Sequence, residues 1–136
     1  RNNFIGIHNS WNFLKSKNQN LSYKMCELIN KENKKFQIIE IHNRPLVFNF
    51  LKKEINSKFI MYFHNDPLSM SGSISVKDRI FLLKNCYRII FNSNWSKKRF
   101  LEGMHDKFVN SEKLSVIFQS SDRTIVNLSK KQNLSE

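Results

Sequence analysis

The chain has 136 residues, with 23 Lys or Arg against 11 Asp or Glu for a formal net charge of +12, and 40% of it is hydrophobic. That length supports one domain with a single continuous core, and that apolar content excludes intrinsic disorder for most of it. No apolar run approaches the roughly 20 residues of a membrane-spanning helix.

Taken in chain order, Phe4 to Ile7 reads as the end of a strand, with His8, Asn9 and Ser10 as its exit. From Ser10 to about Lys34, Leu14, Leu21, Met25, Leu28 and Ile29 fall on one helical stripe. Asn18-Gln19-Asn20 is expected to break that stretch into two helices. Strands are expected over 36–41, 59–63, 87–91 and 114–118, where β-favouring residues cluster. Between the first two, Pro45 suits the first position of a helix striped by Val47, Phe50, Leu51 and Ile55. Pro67 to Val76 is a loop whose Ser69-Met70-Ser71-Gly72 stretch has the look of a movable lid. Ser75-Val76-Lys77-Asp78 then forms a capping box, with Asp in the usual Glu or Gln place, ahead of a helix through Ile80, Leu82 and Leu83. Asn92-Ser93-Asn94 caps a further helix carrying Trp95, Phe100, Leu101 and Met104. The regular alternation, with strands apolar on both faces, predicts an α/β fold with a parallel sheet flanked by helices. Right-handed crossovers are expected to place those helices on alternate sides.

The positive charge has several readings. Lys and Arg neutralise phosphates, but here they are scattered among Asn residues, as in Lys15-Ser16-Lys17-Asn18 and Lys31-Glu32-Asn33-Lys34-Lys35. A compositional habit of an AT-rich genome accounts for that pattern best. Attraction to an anionic membrane or a phosphate-bearing substrate comes second, and nucleic acid is the least favoured partner. Cys26 and Cys86 sit among apolar residues of predicted helices without metal-ligand spacing, which reads as a pair of reduced, structural thiols. No secretory leader is legible. The start at Arg1 and the polar run over 121–136 lead to the expectation of a piece of a longer polypeptide.

Two segments share their punctuation. Ile38-Ile39-Glu40-Ile41-His42-Asn43-Arg44-Pro45 and Phe59-Ile60-Met61-Tyr62-Phe63-His64-Asn65-Asp66-Pro67 each end a strand in His-Asn before a Pro. Proline lacks an N–H and biases its predecessor away from helix, so both strands stop there. A good strand terminator needs nothing more. In open α/β sheets, however, ligands bind outside the carboxyl ends of the strands, so two polar clusters at adjacent strand ends also form a site hypothesis. A metal cluster built on His64-x-Asp66 with His42 finds no further ligand at suitable spacing, and no P-loop, Gly-x-Gly-x-x-Gly or Gly-x-Ser-x-Gly motif is present.

Taken together, Ile39 to Asn43, Tyr62 to Pro67, Arg88-Ile89-Ile90-Phe91-Asn92-Ser93, Trp95 to Leu101 and Leu114 to Phe118 resemble, in order and spacing, the amino-terminal domain of GT-B glycosyltransferases, in particular the retaining family 4. The resemblance spans roughly residues 36–120 and implies a Rossmann-like fold, the amino-terminal half of a two-domain enzyme. It implies transfer of a sugar from a nucleotide-sugar donor to an acceptor hydroxyl, on a cell-envelope glycan or glycolipid, without cofactor or metal. The compartment implied is the cytoplasm, with peripheral contact on the inner membrane. His64 is the implied catalytic base or orienter, because imidazole titrates near neutral pH. The acceptor-binding set is His42, Asn43, Arg44, Asn65, Asp66, Ser93 and Asn94. Ser93 and Asn94 are equally well explained as helix caps, and Lys97, Lys98 and Arg99 as a solvated helix face. Two departures stand out: no Gly-rich turn opens the chain, and Gln119-Ser120-Ser121-Asp122 stands where Asn-Gly is usual. The donor-clamping residues of such enzymes belong to a second domain, so this chain alone is expected to be inactive. The alternative is a non-catalytic basic α/β module that binds anionic polymers such as nucleic acid.

Overall fold

The structure is a computed structural model that describes residues 16–31 and 36–119. The expected strand over 4–7, its exit at 8–10, the first residues of the first helical stretch and the polar run over 121–136 lie outside the described residues. The order is α1 (Lys17–Lys31), β1 (Ile38–His42), α2 (Pro45–Glu54), β2 (Lys58–Phe63), α3 (Val76–Asn85), β3 (Arg88–Phe91), α4 (Asn94–Leu101) and β4 (Leu114–Val116). Short 3₁₀ turns lie at Pro67–Ser69 and Asp106–Phe108.

The four strands form one parallel sheet in the order β1-β2-β3-β4. In register, His42 faces Tyr62, Tyr62 faces Ile90, and Phe63 faces Phe91. The α/β, Rossmann-like arrangement expected from the alternation is therefore present, with each strand within two residues of its expected ends. The crossovers differ from expectation. Helices change sides only where strand order reverses, and here the order is sequential, so connections of one hand stay on one face. Phe48 of α2 meets Phe59 of β2, Phe100 of α4 meets Phe63 and Phe91, and Leu82 and Leu83 of α3 join the same core.

For β1 and β2 this one-sidedness also corrects the expectation of strands apolar on both faces, whereas β3 keeps it, with Ile89, Ile90 and Phe91 all buried. In β1, Ile39 and Ile41 are buried while Ile38, Glu40 and His42 are exposed; in β2, Phe59, Met61 and Phe63 are buried and Ile60 and Tyr62 only half-buried. The period-2 alternation thus puts Glu40, His42 and Tyr62 on the face opposite the helices.

Three local readings resolve. Asn18-Gln19-Asn20 does not break a helix: it is the first turn of α1. Ser16 accepts from the Gln19 N–H (3.3 Å) and Gln19 Oε1 from the Ser16 N–H (3.0 Å), which is a reciprocal cap at that point. The Ser75/Asp78 capping box is present, as is Pro45 at the start of α2. The Ser69–Gly72 loop is fastened rather than free. The Ser73 hydroxyl, fully buried, donates to the carbonyls of Pro67 and Met70. Gly72 has φ +95°, and a Cβ there would stand 2.6 Å from the Leu46 nitrogen, so only glycine lets the loop lie against the start of α2. Cys86 is buried in the core, and burial pushes its thiol up to about 12, as suits an unreactive structural residue.

Candidate functional site at the carboxyl ends of the strands

Parallel pairing sends the ends of β1 and β2 to the same sheet edge, where their histidines meet. His42 Nδ1 lies 2.7 Å from His64 Nε2. The ring planes differ by 14° and the centroids are 5.1 Å apart, which fits rings meeting edge to edge in one plane. Tyr62, two residues before His64 on the same face, lies parallel beneath them, 4.3 Å from the His64 centroid and 5.3 Å from that of His42. The Tyr62 hydroxyl donates to the Ile117 carbonyl at 3.4 Å, which fixes where the chain leaves β4. Two residues on, Gln119 Nε2 stands 3.1 Å from His64 Nδ1. On the other side Glu40 Oε2 is 3.6 Å from His42 Nε2.

The turn residues hold this edge together. Asn43 adopts φ +51°, a left-handed conformation that Asn tolerates better than most residues. It can therefore donate its N–H to the Tyr62 carbonyl (2.9 Å) while its Oδ1 accepts the His64 N–H (2.8 Å). From the other side, Asn92 Nδ2 donates to the His64 carbonyl at 2.6 Å, and the Asn92 Oδ1 accepts from the hydroxyls of Ser96 and Ser93. Desolvation first, and the neighbouring His42 second, push the His64 pKa below its ordinary value, while Glu40 pulls weakly the other way. That direction favours the neutral His64 ring, which has a lone pair to offer.

The remaining expected residues divide. Asn65 is exposed beside His64. Ser93 is the N-cap of α4, accepting from the Ser96 N–H at 3.2 Å, and Asn94 is the exposed first residue of that helix. Arg44 extends to Asn18 of α1 at 3.4 Å. Asp66 accepts from the Leu68 N–H (3.0 Å) and from Arg99 Nε (3.4 Å) and Nη2 (3.2 Å). Burial raises its pKa, but the Arg99 hydrogen bonds, the Leu68 N–H and the Arg99 charge outweigh that and hold the carboxyl below its ordinary range. Arg99 also meets Glu102 and lies 5.9 Å over the Trp95 ring, so it is a fastener between α4 and the turn after β2 rather than a solvated lysine-like residue.

Sequence reasoning passed over Glu40, Tyr62, Asn92 and Gln119. Alternation carried a signal for two of them: Glu40-x-His42 and Tyr62-x-His64 each put both residues on one strand face. Asn92 and Gln119 reach His64 from other strands, and spacing alone does not announce that. Among the described residues no cluster of three or more His, Cys, Asp or Glu is arranged to hold a metal ion, and no helix is long and apolar enough to cross a membrane. A groove of about 550 Å³ lies at the opposite end of the sheet among Phe36, Ile38, Ser57, Lys58 and Tyr87, remote from these histidines. Compared with known proteins, the sequence matches no family model and no curated protein.

Proposed function

We propose that this chain is the acceptor-side domain of a glycosyltransferase of GT-B type, moving a sugar from a nucleotide-sugar donor to an acceptor hydroxyl of a cell-envelope glycan or glycolipid. The observation that carries the reading is the pair of imidazoles 2.7 Å apart at the carboxyl edge of a parallel sheet, with burial favouring the neutral form of His64. Sugar transfer needs an acceptor hydroxyl oriented and relieved of its proton while the donor's anomeric carbon loses its nucleoside diphosphate. A neutral His64 backed by a second ring is equipped for that proton. Asn65, Ser93 and Asn94 add amide and hydroxyl groups suited to sugar hydroxyls. Asp66 serves by fixing, through Arg99, the turn that follows His64. In this reading the donor is held mainly by a second domain outside these residues, and the enzyme works in the cytoplasm at the inner face of an anionic membrane.

The test is an assay of nucleoside diphosphate release from a panel of nucleotide sugars with glycan and glycolipid acceptors, with the flanking sequence of the native polypeptide retained. Acceptor-dependent release supports the reading. The absence of release, together with binding to nucleic acid that weakens steeply with salt, contradicts it in favour of a basic binding module.

A further inference from the structure

The groups around His64 and His42 form a chain whose hydrogens can be placed. At one end Gln119 presents an amide nitrogen, a donor, to His64 Nδ1 at 3.1 Å. His64 Nδ1 therefore accepts, and the proton of the neutral ring sits on Nε2. That nitrogen faces His42 Nδ1 at 2.7 Å, so the His42 Nδ1 accepts in turn and its own proton sits on Nε2. His42 Nε2 faces Glu40 Oε2 at 3.6 Å, beyond a good hydrogen bond but within ion-pair reach. A carboxylate only accepts, so this end favours the same direction independently. Tyr62, flat beneath both rings, holds them in a common plane so that the nitrogens stay aligned.

We infer that Glu40 and His42 are positioning residues that lock His64 in the Nε2–H tautomer, which makes Nδ1 its basic atom, and that the Gln119 amide occupies that atom in the free protein. The inference deepens the proposed function and rests on it for the identity of the acceptor. An acceptor hydroxyl that displaces the Gln119 amide makes the same kind of bond, O–H to Nδ1. On attack the O–H bond breaks and its proton moves to Nδ1. The oxygen's electron pair bonds the anomeric carbon, and the nucleoside diphosphate departs with the electrons of the broken C–O bond. The imidazolium so formed keeps its Nε2–H on His42, whose other edge faces the Glu40 carboxylate, so the positive charge has an acceptor behind it and an anion behind that. This resembles the orienting of a catalytic imidazole by a carboxylate, with a second imidazole inserted between them.

Long-range ¹H–¹⁵N correlation spectra of the ¹⁵N-labelled chain above pH 7 read the tautomers directly, with no donor or acceptor present. Both rings are expected as Nε2–H. Glu40→Ala and Gln119→Ala each remove one end of the chain and should admit some reversed tautomer, in both rings together; the Glu40→Ala/Gln119→Ala double variant should admit most. Both replaced residues are exposed, so folding is expected to survive, and the amide spectrum checks it. A His64 found as Nδ1–H in the unmodified chain overturns the inference, as does a His64 tautomer that none of the three variants changes. Because the readout needs no sugar, correct tautomers here beside a failed transfer assay of the longer polypeptide would overturn the proposed function and leave the relay standing.

Discussion

His64 and Asp66 are two residues apart, yet they belong to regions built on opposite terms. Around His64 the direct partners are imidazole and amide groups, the rings are partly open to solvent, and the contacts run edge to edge from β1 through β2 to the exit of β4. Around Asp66 the contacts are charged and tie loop to helix: Asp66 to Arg99, and behind them Arg79. Arg79 is only 3% exposed, with its guanidinium donating to the carbonyls of Phe100, Glu102 (2.8 Å) and Arg99 (3.3 Å). Those carbonyls lie at the end of α4, where only that of Arg99 also takes a backbone N–H, from Glu102, so Arg79 is a helix C-cap supplied from α3. Fastening on one side of Asn65 leaves the imidazoles on the other side partly open to solvent. A strand end can thus be rigid without being chemically exhausted.

The comparison breaks most easily at Arg79. Arg79→Ala takes this donor from the Phe100 and Glu102 carbonyls, leaves Arg99 only the Glu102 N–H, and removes the aliphatic stem, and about 3 kcal/mol of stability should be lost in urea unfolding. Under native conditions the folded fraction should keep the His64 tautomer. A loss within error of zero would mean that water replaces the guanidinium freely and that the fastening is not where the stability lies.

Gly72→Ala comes next. The added Cβ meets backbone of Leu46 and Pro45, and φ +95° is unfavourable for alanine, so a loss of about 2 kcal/mol is expected. Calorimetry would show it, and unchanged stability would restore the loop's freedom to act as a lid.

Asp66→Asn should cost less than either, and its signature is in pH. The folded carboxyl titrates below its unfolded value, so its contribution is present above the ordinary carboxylate range and disappears as pH falls through the depressed folded value. The variant should therefore flatten the acid limb of the stability curve. An unaltered limb would mean that Arg99 gives Asp66 nothing.

The smallest effect belongs to His64 and has its own window. Its pKa is depressed, so the unfolded chain binds the proton more tightly. Stability should fall as pH drops from the ordinary histidine value through the lower folded one, and then level off. His64→Gln should erase that step while leaving the Asp66 limb in place. If the step survives in His64→Gln, another group carries it and the two regions are not separable in this way.

Much of the fold was legible because each strand is a compact β-favouring run set between capped amphipathic stretches, and Pro45, Ser75 and Ser93 mark helix starts directly. Strand order is not written in such local signals. The expectation of helices on alternate sides failed because the four described strands follow one another across the sheet. Asn18 to Asn20 misled for a related reason: polar residues that break a helix also begin one, and only the Ser16–Gln19 exchange decides. At the site, the two His-Asn turns were visible as a pair, since parallel strands must end at one edge. The destination of Asp66 was not, because Arg99 lies 33 residues away and reads in isolation as one of three consecutive basic residues. Gln119 was visible only as a departure from a resemblance, yet its amide nitrogen covers His64 Nδ1.

The most direct test of the central claim is turnover per folded molecule of His64→Ala in the nucleotide-sugar assay, with His42→Ala alongside and unfolding curves for both. The account predicts a loss of about 10²-fold or more at His64, the scale of acid–base residues, with a milder loss at His42 and little change in donor affinity. Normal turnover by folded His64→Ala would contradict it and leave the two histidines as strand terminators.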